Sequence, residues 1–324
     1  MKLKKLGTAV AVSAALGTGV VGQAHADALA EALIAITGFT LSKEAGATLT
    51  LTDFNQLSIN DTLTNTATLT PGGTSFGISS AATFAATVDA LQACVGACTK
   101  AENTFTADLP PPLTTFARSD SLLAGQPIAG TGFGVGVTSD TIAETSIVGN
   151  AFGGSSSDIL LTSTFQFVLA HEINNVDVHF NATTFLLAWT AAGSAPGTSA
   201  GANFSWELKL VDGIGGTTLI DWLPNGNIAT GTQTGLNVTA EGCNLQNSAN
   251  ATFSQPSGPT ENCTGTFAAT TNFALAANHP YSFSLAQHTI SNAAEVVRVP
   301  EPATLALLGI GLAGIGFASR RRQA

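Results

Sequence analysis

Between residues 27 and 298, short runs rich in Thr, Val, Ile and Phe alternate apolar with polar positions at a period of two. That is the pattern of strands with one face turned to a core. It predicts strands at Leu33 to Leu41, Thr48 to Phe54 and Leu57 to Thr70, with Leu49 and Leu51, then Leu57, Ile59 and Leu69, pointing inward. A second series follows at close spacing: Ile159 to Ala170, Val176 to Thr190, Phe204 to Val211, Thr217 to Trp222, Leu236 to Ala240, Ala249 to Phe253, Thr266 to Leu275 and Tyr281 to His288. In it, Val176, Val178 and Phe180 share one face, and Asp177, His179 and Asn181 the other. Residues 210–217 read as a hairpin turn between strands that carry Trp206 and Trp222. Between Pro71 and Ser157 the alternation breaks at Pro71-Gly72-Gly73, Pro110-Pro111-Pro112 and the Gly130 to Gly136 stretch. Residues 71–157 are therefore expected to be an irregular insertion, with a short helix over Phe84 to Cys94. The prediction is an all-β protein, an antiparallel β-sandwich of jelly-roll-like form over residues 27–298. Its core should include Phe165, Phe167, Leu169, Val178, Phe180 and Leu208.

Both ends depart from this pattern. Lys2, Lys4 and Lys5 precede an apolar, small-residue run from Leu6 to Gly22, and Ala24-His25-Ala26 has the form of an A-x-A cleavage site. Residues 1–26 thus read as a signal peptide, with Asp27 the first residue after cleavage by signal peptidase. At the other end, Val299-Pro300-Glu301-Pro302 leads into an uncharged apolar run from Ala303 to Phe317, followed by Arg320, Arg321 and Arg322. The arginines would stay on the cytoplasmic side. The predicted transmembrane helix, 303–319, lies at or below the short end of the roughly 20 residues a bilayer core requires, which suits a temporary anchor.

The order of proline-glutamate-proline box, spanning run and basic end resembles the PEP-CTERM sorting signal, here over residues 299–324. The resemblance implies recognition of Pro300, Glu301 and Pro302 by exosortase, a membrane transpeptidase that removes the tail. It implies passage from the inner membrane to the surface or extracellular matrix of a Gram-negative cell. Proteins of that group are associated with exopolysaccharide and biofilm, which makes exopolysaccharide an expected partner.

Charge sharpens this picture. Loss of three lysines with the signal, and of three arginines and Glu301 with the tail, takes the formal charge from -10 to -15. Only Lys43, Lys100, Arg118, Lys209 and Arg298 then remain as cations, and they are scattered. Nucleic-acid binding is excluded, because no basic stripe exists to displace counterions from a phosphate backbone. Charged residues are 10% of the chain against about 25% in ordinary soluble domains, so Thr, Ser and Asn must supply most of the solvated face. With 44% hydrophobic residues the chain has enough apolar area to fold.

Four cysteines in an exported chain are expected as disulfides, Cys94 with Cys98 and Cys243 with Cys263, each joining the ends of one loop. Three residues, not the two of C-x-x-C, separate Cys94 from Cys98, and no histidine stands near them in sequence, so zinc is not expected there. His171-Glu172 opens like the zincin motif, but Asn175 stands at the second histidine position and the segment is strand-like. Gly153-Gly154-Ser155 lacks the nucleophile-elbow spacing, and Gly132-Phe133-Gly134-Val135-Gly136 lacks a dinucleotide fingerprint. No catalytic residue, metal or cofactor is predicted. Two alternatives stay open. A carbohydrate-binding module would expose Trp189, Trp206, Trp222 and Tyr281 on one face, and a secreted hydrolase would have a pocket with convergent carboxylates, such as Glu207, Asp212 and Asp221, or a Ser-His pair.

Overall fold

In chain order the strands are β1 (Asp27–Lys43), β2 (Phe54–Ser58), β3 (Asp61–Thr70), β4 (Gly73–Ala81), β5 (Thr87–Gly96), β6 (Phe116–Ala124), β7 (Val137–Val148) and β8 (Phe152–Leu169). They continue as β9 (Val176–Thr190), β10 (Ser199–Asp212), β11 (Thr218–Leu223), β12 (Thr232–Thr234), β13 (Leu236–Glu241), β14 (Gln246–Thr252), β15 (Ser257–Thr271) and β16 (Pro280–Ala294). The computed structural model describes residues 27–295 other than 44–45, 82–84, 86, 113, 150 and 214. The signal sequence, the Pro300 box and the 303–319 span lie outside the described residues.

Two antiparallel sheets face each other. The first has seven strands in the order β13-β15-β9-β1-β7-β6-β5, and the second runs β12-β11-β10-β16-β8-β3-β4, with β14 added beside β10 and β2 beside β8. The apolar interior is shared between them. Phe39, Phe180 and Phe267 from the first sheet meet Trp206, Trp222 and Phe283 from the second. Phe180 sits at the centre, 4.6 Å from Phe267, 4.7 Å from Trp206 and 5.8 Å from Trp222 between ring centroids. The expected core residues Phe167, Leu169, Val178, Phe180 and Leu208 are all buried, whereas the Phe165 side chain lies outside the described residues.

The reading of residues 71–157 as an irregular insertion is corrected. β4, β5, β6, β7 and the start of β8 occupy it, and the strand Thr87–Gly96 takes up most of the expected helix. Alternation failed there for two reasons. The inward positions of this half are small and polar, and β6 and β7 are buried on both faces. Between the sheets, Gln287 Nε2 donates to the Ile34 carbonyl at 3.0 Å and to Thr141 Oγ1 at 2.9 Å, while Ser139 Oγ donates to Gln287 Oε1 at 2.9 Å. The Ser291 hydroxyl bonds Thr145 at 2.7 Å and Ser155 at 2.8 Å. Such buried polar groups are tolerated because they are paired. Near the open edges the sheets come close enough that a Cβ on Gly77 would overlap the Leu91 carbonyl oxygen, so that position of β4 requires glycine.

One buried group in this half is poorly paired. Asp61, at the start of β3, is 2% exposed, its Oδ1 has no hydrogen-bond partner, and burial pushes its carboxyl up to about 6. The folded carboxyl thus holds its proton more tightly than an unfolded one. Its stabilising effect is complete below the ordinary carboxylate range and is lost as pH rises through about 6. Asp61→Asn is expected to raise stability by up to about 3 kcal/mol at about pH 7 and by almost nothing at about pH 3. Urea midpoints at the two pH values test this, and equal gains at both would show that the ionised form is not the source.

Candidate functional site

Charged chemistry concentrates on the outer face of the first sheet. Register aligns Leu187 of β9, Glu31 of β1, Glu144 of β7 and Arg118 of β6 in one row across four strands. Glu31, Glu144 and Arg118 are all fully buried, because the connection between β5 and β6, residues 97–115, passes over them. Arg118 Nε donates to Glu144 Oε2 at 2.8 Å and its Nη2 to the Thr104 carbonyl at 3.0 Å. Lys100 Nζ bonds Glu144 Oε1 at 2.8 Å and pairs with Asp108 at 3.0 Å, and the Asp108 amide donates to Glu31 Oε2 at 2.8 Å. Burial, and then the neighbouring Glu144 charge, raise the Glu31 carboxyl well above its usual range. Burial also raises Glu144, against the pull of Arg118 and Lys100. The row is an internal ionic clasp that holds the strap, with Phe105 packed beside Leu29, Leu33, Ile142, Phe185 and Leu187.

The cysteines anchor the same architecture. The structure places Cys94 with Cys98 at the base of the strap and Cys243 with Cys263 beside β13 and β15, both at disulfide distance. The second pair fixes a loop next to a close backbone approach, where a Cβ on Gly242 or Gly265 would meet the other residue's main chain.

Other sequence-singled residues do not converge. Trp206 and Trp222 are fully buried and Tyr281 is 5% exposed, so these three form no exposed platform. Trp189 alone of the four is partly exposed, on the outer face of β9. The reason is legible in β10, where Phe204, Trp206, Leu208 and Leu210 all take the inward parity. Trp222 Nε1 donates to Glu241 Oε1 at 2.7 Å inside the core. Glu207 pairs with Lys209 at 2.5 Å, and Asp212 pairs instead with His279. His171 lies 3.2 Å from Asp53, which also holds Lys43 at 2.8 Å, while His179 is exposed on β9. Among the described residues no group of three or more His, Cys, Asp or Glu side chains is arranged to hold a metal ion, and every Lys and Arg is in an ion pair.

The described chain enters and leaves at one end of the two sheets. Asp27 pairs with Val148 in register, and Glu295 donates its amide to the Ala151 carbonyl at 2.9 Å, three residues further on. Immediately beyond, residues 298–322 match the PEP-CTERM protein-sorting motif. The match covers Pro300, Glu301, Pro302 and Arg320, Arg321 and Arg322. The motif is one that exosortase recognises, and it implies export with membrane-associated sorting in Gram-negative bacteria. No curated protein and no solved structure matches the chain.

Proposed function

We propose that this is an exosortase-processed protein of the cell surface or extracellular matrix, with a structural or adhesive role and no catalysis of its own. The observation that carries the reading is the sorting motif at residues 298–322, which begins three residues after Glu295, the last described residue of a disulfide-paired, antiparallel β domain. Signal peptidase removes residues 1–26, exosortase cuts at the Pro300-Glu301-Pro302 box, and the domain, a sandwich of jelly-roll-like form, is released toward the surface. An acidic exterior whose few cations are already paired supports contact with neutral or cation-bridged polymer, such as exopolysaccharide, over contact with anionic polymer. Burial of Trp206, Trp222 and Tyr281 removes the aromatic platform that favoured a carbohydrate-binding module. Glu207 and Asp212 are each engaged with a different basic side chain, which weighs against a paired-carboxylate hydrolase.

Glu301→Ala, or deletion of Arg320 to Arg322, is expected to leave the unprocessed chain in the inner membrane. Fractionation and immunoblotting of a strain carrying either change measures this. Unchanged processing and surface delivery in both would overturn the exosortase reading and leave a plain membrane anchor.

A further inference from the structure

The end of the domain that joins the tail is unlike the opposite end. A single row across the second sheet runs Thr252, Ser199, Ala294, Phe152 and Thr70. It marks the edge from which β16 exits toward the tail. Two large apolar side chains stand out at this edge, Phe152 at 58% and Phe253 at 41% exposure. Leu109, 74% exposed, projects from the strap nearby, where Pro111, Pro112, Leu29 and Ser146 border the same hollow. The connections 70–73, 149–151, 191–198 and 252–256 at this end contain no Asp, Glu, Lys or Arg; its charged groups are Asp27 and Glu295 at the two chain ends and Asp108, which lines the hollow beside Leu109 and is paired with Lys100. The opposite end gathers Lys43, Asp53, His171, Asp212 and His279 in its ion pairs.

Chain length limits how far this sparsely charged end can stand from the tail. Glu295 is bonded to Ala151, and the apolar run begins at Ala303. Eight residues reach at most about 28 Å when fully extended, about the diameter of a small domain. While the tail is in the bilayer, the edge holding Phe152 and Ala294 therefore stays within about 28 Å of the membrane. A strongly acidic domain that must approach an anionic lipid surface is repelled least when its charged groups point away, because repulsion is screened over roughly 8 Å at physiological salt. Exposed aromatic and aliphatic side chains at the near edge gain by entering the headgroup region.

We infer that this end, with Phe152, Phe253 and Leu109 as its contact residues, is a lipid-docking surface that sets the domain upright on the membrane. It does so before the tail is cut. The docking rests on the reading of residues 303–319 as a membrane span. It gives the sorting stage a defined geometry. Both described ends of the domain, Asp27 and Glu295, then face the same membrane.

The test uses the full chain reconstituted in vesicles of phosphatidylethanolamine and phosphatidylglycerol that also contain phosphatidylcholine brominated near the headgroup end of its acyl chains. A Trp189→Phe background leaves only Trp206 and Trp222, both in the core. Tryptophan is then placed singly as Phe152→Trp, Phe253→Trp or, at the opposite end, Val135→Trp. The expected result is quenching of the first two by about half, with the third unchanged. Flotation of each variant with the vesicles reads the anchor separately. Chains that float but show no quenching at 152 or 253, or equal quenching at 135, overturn the docking surface and leave the anchor intact. Chains that fail to float overturn the membrane span and the docking with it.

Discussion

Arg118→Met is expected to destabilise the domain by about 3–5 kcal/mol at neutral pH, the usual result of removing one partner from a buried ion pair. The guanidinium is 1% exposed and the Glu144 carboxylate 0%, so neither can recover water in the folded state. Met fills a similar length without charge, which leaves Glu144 facing Lys100 alone, with Glu31 beside it in the row. The loss should depend on pH. Glu31 and Glu144 are both raised by burial, and Arg118 is the main group that holds Glu144 down, so without it the Glu144 carboxyl takes up its proton more readily and acid should relieve the variant more than the parent. The difference between the two proteins is therefore expected to shrink as pH falls from about 7 to about 4.5. Denaturant midpoints across that range, with limited proteolysis of residues 97–115 as a second readout, check the claim. A small loss that is flat with pH would mean that the strap is held by Phe105 and the Cys94–Cys98 pair and not by the clasp.

The same row explains why half the fold was hidden in the sequence. β6 reads Phe116-Ala-Arg-Ser-Asp-Ser-Leu-Leu-Ala124, with charges at the positions that alternation assigns to solvent and serines at those it assigns to the core. Both assignments of side are correct, but the strap covers the outer face and the neighbouring sheet accepts hydrogen bonds on the inner one, for example from Ser119 Oγ to the Thr66 carbonyl at 3.0 Å. A period-two pattern reports contrast between faces, and a strand buried on both has none. Where contrast exists it was legible. β9, β10 and β16 alternate along most of their length, and the same parity should have placed Trp206 inside with Leu208 and Leu210. The sorting motif needed no fold at all, since its signal is an order of composition along a linear segment. The clasp was illegible for the opposite reason. Glu31, Lys100, Arg118 and Glu144 are far apart in sequence and meet only through register and a long connection.

Phe180→Ala and His179→Ala place the two faces of β9 side by side, and their outcomes should differ by several kcal/mol. Phe180 is fully buried and packs on Phe39, Trp206, Trp222 and Phe267. Its truncation removes the middle ring of a cluster drawn from both sheets. Little can move into the space, because Phe267 stacks parallel to the lost ring at an interplanar angle of 2° and belongs to β15, which is fixed to β9 by register from Thr260 to Thr270. A cost of about 3–5 kcal/mol is expected for such a site. His179 is exposed on the opposite face, between Thr40 of β1 and Ala268 of β15. Its removal should change stability by no more than about 0.5 kcal/mol, with no dependence on added divalent metal. Paired denaturant melts with and without chelator decide the matter. Near-equal losses would mean that the outer face of β9 carries a site, and that the cluster of rings around Phe180 is not what holds the two sheets together.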